Sequence, residues 1–356
     1  MEVLGHVRLC VGETDAVRIA QVTDVHRFPG NVTYWDCPKG RRMPLASQDY
    51  SKTGDIELLQ TVLERCKPHF VVFTGDIIDG RPFHASTPSA WRATFLELLE
   101  PVLKFGLPWT YIPGNHDDDG SPWDRADLLQ IYDLPGCASQ GAKQFNHTFT
   151  IGHGDLADDA ASLRLWLFDS GGNSSDPSIG YETFTSEAVD AFRELSSTLT
   201  PCPSLVYFHI PLPEYGSLVP VHGTQGLFES ALMAGMVPRP WCWMPWLVRA
   251  LGQHRVVGCS KLNSGLFDAL VDANGPILAT FCGHDHSNDA VFQRSGIFLC
   301  YGRVSGSTPP VDWEGDAPLP FEPGIRLVKC SAAEDVAMPT SAGDFQFPVF
   351  RALCIS

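Results

Sequence analysis

Disulfide patterns and positive charge are both scarce in this chain of 356 residues. The eleven cysteines are scattered singly between Cys10 and Cys354, their number is odd, and no two form a CxxC pair. A disulfide framework is therefore not expected, and a reducing compartment is the simpler interpretation. The 25 Lys and Arg residues face 41 Asp and Glu residues, which gives a formal net charge of −16. A surface this acidic disfavours binding to nucleic acid or to anionic lipid.

Long apolar runs are also missing. No stretch reaches the roughly 18 apolar residues that cross a bilayer, and residues 1–20 lack the basic and apolar segments of a signal peptide. We therefore predict a cytoplasmic protein without a membrane span. One observation opposes that localisation, because the chain contains three N-glycosylation sequons, which begin at Asn31, Asn146 and Asn173.

The residues that are present predict one large α/β domain over the whole chain, 1–356. Hydrophobic residues make up 44% of the sequence, enough for a substantial core. In the first third, apolar runs that predict buried strands alternate with patterns that predict helices, and the second half is richer in strands. This order predicts two mixed sheets packed face to face, with helices outside. The early strand predictions fall at 17–23, 69–74 and 107–112.

Residues at about 216–258 interrupt this pattern. Within them, the segment 238–246 places Trp241, Trp243 and Trp246 among prolines. Aromatic residues flanked by proline favour neither a regular helix nor a regular strand. We predict an insertion that either folds on its own aromatic side chains or forms a wall for a substrate or partner, since exposed aromatics often mark binding sites.

Five short blocks rich in Asp, His and Asn each follow an apolar run that predicts a buried strand. Their donor atoms are oxygens and imidazole nitrogens, with no cysteine sulfur, a set that suits Zn, Mn or Fe better than a soft metal. One block would mean little, but five on successive strand ends indicate a metal site. The blocks are Asp24-Val-His26, Gly75-Asp-Ile-Ile-Asp79, Gly114-Asn-His-Asp117, His209, and Gly283-His-Asp-His286.

Strand geometry predicts how these blocks hold cations. Alternate residues of a strand point to the same side, so Asp24 and His26 can bind one cation together, and His284 and His286 can do so with other partners. Asp76 follows a glycine, which allows close backbone approach. Its carboxylate can bridge two cations about 3.5–4 Å apart, so we expect a dinuclear site.

The remaining groups come from the second, third and fourth blocks. Asn115 would bind a metal through its carbonyl oxygen, His209 would supply a further imidazole, and His116 would be left to act on the substrate. Asp79 either caps a turn or accepts a hydrogen bond from a catalytic imidazole and fixes its tautomer. Asp117 is interpreted as a turn or helix-start residue.

Over about 18–330, these blocks resemble those of the calcineurin-like metallophosphoesterase superfamily. The stretches 207–215 and 263–303 are similar to a narrower branch of purple-acid-phosphatase-like proteins from plants and fungi. The resemblance implies the metallophosphoesterase fold, a four-layer α/β/β/α sandwich with a dinuclear site. It also implies that His116 is the proton donor and that Asp79 orients it. The implied ligands are Asp24, His26, Asp76 and His286 for one metal, and Asp76, Asn115, His209 and His284 for the other.

Two departures narrow what the resemblance implies. True purple acid phosphatases place a tyrosine a few residues after the aspartate of the second block, whereas this chain reads Asp76-Ile-Ile-Asp79. A purple ferric centre is therefore not implied. Protein Ser/Thr phosphatases carry an arginine just before Gly-Asn-His, and Pro113 stands there in this chain, which lowers the case for phosphoprotein substrates.

Charge then predicts the reaction. Two divalent cations bring more charge than Asp24 and Asp76 neutralise, so the site can hold a phosphoryl group inside an acidic protein and lower the pKa of a bridging water. We expect hydrolysis of a phosphomonoester, on a small molecule or a protein, with two divalent or mixed-valence Mn, Zn or Fe ions and with His116 as the general acid. A phosphodiesterase acting on nucleotide-type diesters is the alternative. A scaffold with this fold but no catalysis is a third possibility.

Overall fold

The computed structural model describes residues 1–10, 16–28, 52–79, 87–118, 123–152, 162–217, 257–286, 288–306, 323–330 and 350–355. The strands are β1 Glu2–Arg8, β2 Val17–Val22, β3 Phe70–Thr74, β4 Trp109–Ile112, β5 His147–Gly152, β6 Ser162–Leu167, β7 Ser204–Tyr207, β8 Ile277–Cys282, β9 Val291–Arg294, β10 Ile297–Tyr301, β11 Ile325–Cys330 and β12 Phe350–Ile355. The α-helices are α1 Lys52–Cys66, α2 Pro88–Lys104, α3 Ser186–Thr198 and α4 Leu266–Val271, with 3₁₀ helices at Asp127–Asp133 and Pro213–Ser217.

These strands form two mixed sheets. The larger has the order β1-β5-β6-β7-β8-β10-β9, in which β6, β7, β8 and β10 are parallel. The smaller has the order β12-β11-β2-β3-β4, in which β2, β3 and β4 are parallel and β11 and β12 are antiparallel additions. Parallel strands within each sheet explain their almost fully apolar sequences, since both faces are covered.

The two faces of the smaller sheet pack against different layers. Phe70 of β3 contacts Phe149 of the larger sheet, with ring centroids 5.9 Å apart. Phe73, three residues later and on the other face, contacts Phe95 of α2 at 5.8 Å. Helix α1 contributes Leu63 to the same outer layer. One face of the smaller sheet therefore meets the larger sheet and the other meets α1 and α2.

The outer face of the larger sheet is covered by α3 and α4. Phe192 of α3 packs edge-on against Trp166 of β6, with centroids 4.7 Å apart, and Phe267 of α4 is buried in the same apolar cluster. The predicted four-layer arrangement of helices, two mixed sheets and helices is thereby confirmed.

The helices of this arrangement begin at residues that the sequence favours. Thr87 accepts a hydrogen bond from Ala90 N at the start of α2, and Pro88 occupies the first turn, where no N–H is needed. Thr185 caps α3 in the same way, through Ala188 N. No helix in the described part of the chain is long and apolar enough to span a membrane. Most of the predicted insertion, 218–256, lies outside the described residues.

Candidate metal centre

The predicted blocks follow the carboxyl ends of parallel strands in both sheets. Main-chain hydrogen bonds tie the block ends together, from Asp24 N to Gly75 O at 3.0 Å, from His26 N to Asp76 O at 2.9 Å, and from Gly283 N to His209 O at 3.0 Å. Residues far apart in sequence are thus held at one edge where the two sheets meet. This is the edge at which open α/β sheets form their sites.

The first group of donors is entirely buried and consists of Asp24, His26, Asp76 and His286, here called pocket one. One donor atom from each lies within 4.8 Å of the others. The two imidazole nitrogens, His26 Nε2 and His286 Nε2, are 2.9 Å apart. His26 Nε2 lies 3.6 Å from Asp76 Oδ2, and His286 Nε2 lies 3.5 Å from Asp24 Oδ1.

The second group, here called pocket two, consists of Asp76, His209, His284 and the amide of Asn115. His209 Nε2 lies 3.2 Å from Asp76 Oδ2 and 3.1 Å from Asn115 Oδ1. His284 Nδ1 lies 2.8 Å from Asn115 Oδ1. His284 is half-buried, so pocket two is the more accessible of the two.

Asp76 joins the pockets through a single oxygen. Its Oδ2 faces His26 in pocket one and His209 in pocket two. Its Oδ1 instead accepts a hydrogen bond from His116 N at 2.7 Å, which fixes the plane of the carboxylate. The structure therefore places one shared oxygen between two sets of donors.

The donor spacing fits two metal ions. Metal–ligand bonds of about 2.0–2.2 Å place neighbouring donors about 3–3.5 Å apart, close to the separations in both pockets. The His209 tautomer also fits, because Nδ1 lies 2.7 Å from Thr74 O. A carbonyl only accepts, so Nδ1 carries a proton, and Nε2 would present its lone pair to the pocket once metal binding displaces its own proton.

Backbone strain marks the same residues. The φ angles of Asp24, His26, Asp76 and His284 are 53°, 51°, 52° and 73°, in the left-handed region that residues other than glycine rarely adopt. β2 ends at Val22, so Asp24 and His26 do not lie on a strand. The strand alternation invoked from sequence is therefore the wrong reason for their convergence. His284 and His286 likewise follow the end of β8 and belong to different pockets.

Two glycines allow the blocks to approach each other. A side chain on Gly75, where φ is 86°, would collide with the backbone of Gly114 and lie 2.7 Å from His209 Nδ1. A side chain on Gly114 would collide with Asp76 Oδ1. The glycines are therefore required for contact between ligand segments.

Burial and neighbouring charges shift the pKa values of the one carboxyl group and the two imidazoles of pocket two in different directions. Burial opposes ionisation of Asp76, but His209 and His116 hold its pKa well below the usual value. Burial lowers the pKa of His209, but the Asp76 carboxylate raises it to about 9. Burial and the charge on His209 lower the pKa of His284 to about 3. Pocket two thus offers an ionised Asp76 carboxylate and a neutral His284 imidazole to a cation, whereas His209 carries a positive charge and must lose the proton on Nε2 to bind a metal.

Comparison with known proteins agrees with this geometry. The family model described as calcineurin-like phosphoesterase matches residues 17–288, which include all five blocks. The chain belongs to the calcineurin-like phosphoesterase family. The resemblance stated from the sequence is thereby confirmed.

Curated relatives of this phosphoesterase come from plants and fungi. "Probable inactive purple acid phosphatase 29" of Arabidopsis thaliana is 28% identical over 309 residues, which cover 80% of this chain and 70% of the relative. "Phosphatase DCR2" of Saccharomyces cerevisiae is 27% identical over 319 residues, which cover 84% of this chain and 49% of the relative. Among solved structures, a dimetal phosphatase from Danio rerio superposes with a TM-score of 0.49 at 14% identity, covering 88% of this chain and 93% of that chain.

Asp117 is a supporting residue of this phosphoesterase that sequence reasoning missed. It was interpreted as a turn residue, yet it is fully buried and accepts hydrogen bonds from four backbone N–H groups. Oδ1 accepts from Ile77 N and Ile78 N at 3.0 Å, and Oδ2 accepts from Asp76 N at 2.8 Å and Gly114 N at 2.7 Å. Burial raises its pKa to about 6, against the effect of these bonds. Asp117 therefore anchors the turn that carries Asp76.

Arg125 is a second supporting residue that the sequence did not reveal. Its guanidinium donates to Gly114 O at 2.9 Å and Pro113 O at 3.3 Å, on the turn that carries Asn115. It also binds Asp169 Oδ1 at 2.6 Å. Burial opposes its charge, but Asp169 raises its pKa. A permanently charged Arg125 thus clamps the third block to the segment that follows β6.

The two residues predicted to act in catalysis lie beside the pockets. His116 is half-buried, and its ring centroid is 5.6 Å from that of His26. Asp79 is fully buried, and its Oδ2 lies 3.7 Å from His26 Nδ1. This distance relates Asp79 to a ligand of pocket one, while its orienting role toward His116 stays a prediction. Asp285, between His284 and His286, binds Tyr301 Oη at 2.6 Å and is not a member of either group.

Proposed function

We propose that this chain hydrolyses a phosphomonoester with two divalent cations held in pockets one and two. The observation that carries the proposal is the position of Asp76 Oδ2, which faces His26 on one side and His209 on the other. Both donor sets are complete around that atom. Mn, Zn and Fe each suit oxygen and imidazole donors.

Bound cations would supply positive charge for the phosphoryl oxygens and lower the pKa of a coordinated water toward neutrality. The residues of the chain set the geometry for this chemistry. Asp76 is held by two main-chain contacts, since its N–H binds Asp117 and its Oδ1 accepts from His116 N. Such fixed donors cost no reorganisation when charge develops on the substrate.

We propose that His116 protonates the leaving oxygen. Its main chain is fixed by the bond to Asp76 Oδ1, its ring lies beside His26, and it is absent from both donor groups. Its half-buried position leaves it access to a substrate. A general acid in this place accelerates hydrolysis by about 10²–10⁴-fold when the leaving group is a poor one.

Asp79 supports pocket one in this proposal. Its carboxylate lies on the Nδ1 side of the His26 ring, at 3.7 Å. A carboxylate there favours the tautomer that presents Nε2 to a metal. An effect of Asp79 on the proton transfer by His116 would then pass through His26 and the shared Asp76.

The charge of the site favours a monoester over a diester. A monoester dianion gains more from two cations than a diester monoanion does, because its additional charge also faces the metals. A diester site needs a groove for the second ester arm. The tryptophan-rich segment, for which a wall against a substrate was one of two interpretations, lies outside the described residues.

The Arabidopsis thaliana relative carries the word inactive in its name, which favours the scaffold interpretation. A scaffold that has lost catalysis is expected to lose ligands. Within the described residues of this chain, every predicted metal ligand is present and lies in pocket one or pocket two. The donor set therefore supports catalysis.

Substrates with different leaving groups test whether His116 is the general acid. We expect His116→Ala to keep both metals and to lose about 10²–10⁴-fold in kcat/KM on alkyl phosphates. On nitrophenyl phosphate, whose leaving group needs no proton, the loss is expected to be small. Equal losses on both substrates would remove His116 from the general-acid role.

The reaction class is tested with paired aryl substrates, a monoester and the corresponding bis-ester, with Mn, Zn and Fe in turn. We expect the monoester to be preferred. A preference of about tenfold for the diester, about 1.4 kcal/mol in transition-state stabilisation, would overturn the choice. Two bound metals with no hydrolysis of either ester would favour the scaffold.

A further inference from the structure

The loop 171–182 contacts two ligands of pocket two. It lies between β6 and α3, and its two ends are paired by main-chain hydrogen bonds. Glu182 N donates to Gly172 O at 2.9 Å, and Ser174 N donates to Gly180 O at 3.1 Å. The Glu182 side chain closes the loop again by accepting from Gly172 N at 2.8 Å. The loop is therefore a fixed element.

Asn173 forms a reciprocal pair with the metal-ligand candidate Asn115. Asn115 Nδ2 donates to Asn173 Oδ1 at 3.3 Å, and Asn173 Nδ2 donates to Asn115 O at 3.3 Å. Both bonds are slightly longer than the usual range of about 2.7–3.2 Å. Together they involve both polar atoms of the Asn173 amide.

This pair determines which atom Asn115 turns toward pocket two. The main-chain oxygen of Asn115 only accepts, so Asn173 must direct its Nδ2 there and its Oδ1 toward the Asn115 side chain. An oxygen at that position selects Asn115 Nδ2 as its partner. Asn115 Oδ1 is then left facing His209 and His284, at 3.1 and 2.8 Å. Without the pair, either end of the amide could face the pocket.

Tyr181 supports a second ligand from the other end of the same loop. Its ring packs edge-on against the His284 ring, with centroids 4.4 Å apart and planes at 88°. Asn173 and Tyr181 are opposite each other in an isolated antiparallel bridge, which sets their spacing. Arg125 then fixes the base of the loop by donating to Gly171 O at 2.9 Å.

We propose that Asn173 is a positioning residue for the second metal, which acts by fixing the amide of Asn115 with its oxygen toward pocket two, and that Tyr181 assists by holding the ring of His284. The inference rests on the proposed dinuclear function and concerns only pocket two. Since Asn173 Nδ2 is the atom to which an N-linked glycan attaches, occupation of the sequon at Asn173 would oppose this role.

Metal titration of the full chain tests the proposal without any activity measurement. Metal-free protein is titrated with Zn²⁺ and with Mn²⁺, and the two binding steps are resolved by calorimetry. Pocket one, which holds two carboxylates, is expected to fill in the first step and pocket two in the second. We expect Asn173→Ala to weaken the second step by about 10–100-fold and to change the first by less than about threefold, as loss of a ligand's supporting contact does. Ser175→Ala is the matched control, because it removes the sequon and keeps Asn173.

A double-mutant cycle separates orientation of Asn115 from general loop stability. In an Asn115→Asp background both terminal atoms are oxygens, so no orientation remains to be fixed. There, Asn173→Ala is expected to cost less than about threefold in the second step. An equal cost in both backgrounds would show that Asn173 acts only through the stability of the loop.

The aromatic contact is tested separately. Tyr181→Phe keeps the ring and is expected to preserve the second binding step better than Tyr181→Ala.

Unchanged second-step affinity in Asn173→Ala, or equal weakening of both steps, would overturn the proposal. If the wild-type chain binds two metals with the expected pattern but hydrolyses no ester, the positioning role stands and the proposed reaction fails.

Discussion

Pockets one and two share Asp76 but differ in charge and in exposure. Pocket one has a carboxylate of its own, Asp24, and all its ligands are buried. Pocket two has the neutral amide of Asn115 in the corresponding place and includes the half-buried His284. Two carboxylates can neutralise a divalent cation, whereas pocket two keeps positive charge after its cation binds.

The pockets also differ in what supports them. Asp24 accepts from Thr23 Oγ1 at 2.7 Å and from His284 N at 3.1 Å, contacts made by residues of the strand ends themselves. Asn115 is oriented by Asn173, which belongs to a separate loop. We therefore expect pocket one to bind its metal more tightly, and pocket two to exchange its metal and to contact the substrate phosphoryl group. The two pockets are therefore unequal both in charge and in the contacts that hold their ligands.

The largest expected effect comes from the residue that the pockets share. Asp76→Asn should lose both metals, because a neutral amide lacks the negative charge with which the carboxylate would bridge two cations. Metal polarisation is worth several kcal/mol, so activity should fall by about a thousandfold or more. Elemental analysis after gel filtration measures the metal content of the variant. Retention of two metals with full turnover would break the account of a bridging carboxylate.

An Asp→Asn substitution at an exposed position is the control for Asp76→Asn, because it makes the same chemical change away from the pockets. Asp190→Asn removes one carboxylate from α3, where Asp190 forms only a surface ion pair with Arg193 at 3.2 Å among the described contacts. Surface pairs of this kind contribute little to stability. This variant should keep both metals and full activity.

The next largest effects are expected from two variants that each weaken metal binding in one pocket alone. Asp24→Asn should remove the tighter metal, since pocket one then depends on Asp76 and two imidazoles. Asn115→Ala should leave the tighter step unchanged and weaken the second, because only pocket two loses an oxygen. Each loss is expected to exceed the 10–100-fold typical of supporting residues. Identical binding isotherms for the two variants would contradict the division into unequal pockets.

The smallest expected effect concerns the support of Asp24. Thr23→Val keeps the shape of the side chain but removes the hydroxyl that donates to Asp24 Oδ2. We expect about tenfold weaker binding at pocket one and no change at pocket two. Metal affinity is measured by competition with a chelating dye. Thr23→Ser, which keeps the hydroxyl, is the control in this assay. A change confined to pocket two would reverse the assignment of the supports.

The strands and donor types of this site were predictable because they depend on local patterns. Apolar runs predict β2, β3 and β8, and each ends within a few residues of an Asp, His or Asn. β1 and β12 were not predicted. They lie at sheet edges and are defined by pairing with β5 and β11, from parts of the chain far from them in sequence.

The supporting residues could not be predicted, since their roles depend on contacts that sequence spacing does not show. Asp117 resembles a turn residue until its four backbone donors are known. Arg125 and Asn173 lie outside the five blocks and reach Asn115 or its turn across the fold. The geometry at Asp24 and His26 was also inferred for the wrong reason, because left-handed backbone conformations replace the expected strand.

Anomalous diffraction from crystals grown with Mn²⁺ or Zn²⁺ would show directly whether Asp76 joins two metal ions. We expect two anomalous peaks about 3.5–4 Å apart, on either side of Asp76 Oδ2. One should lie among Asp24, His26 and His286, and the other among Asn115, His209 and His284. At limiting metal, the peak in pocket one should be the stronger. A single peak at saturating metal, or two peaks that do not share Asp76, would show that Asp76 does not bridge two metal ions.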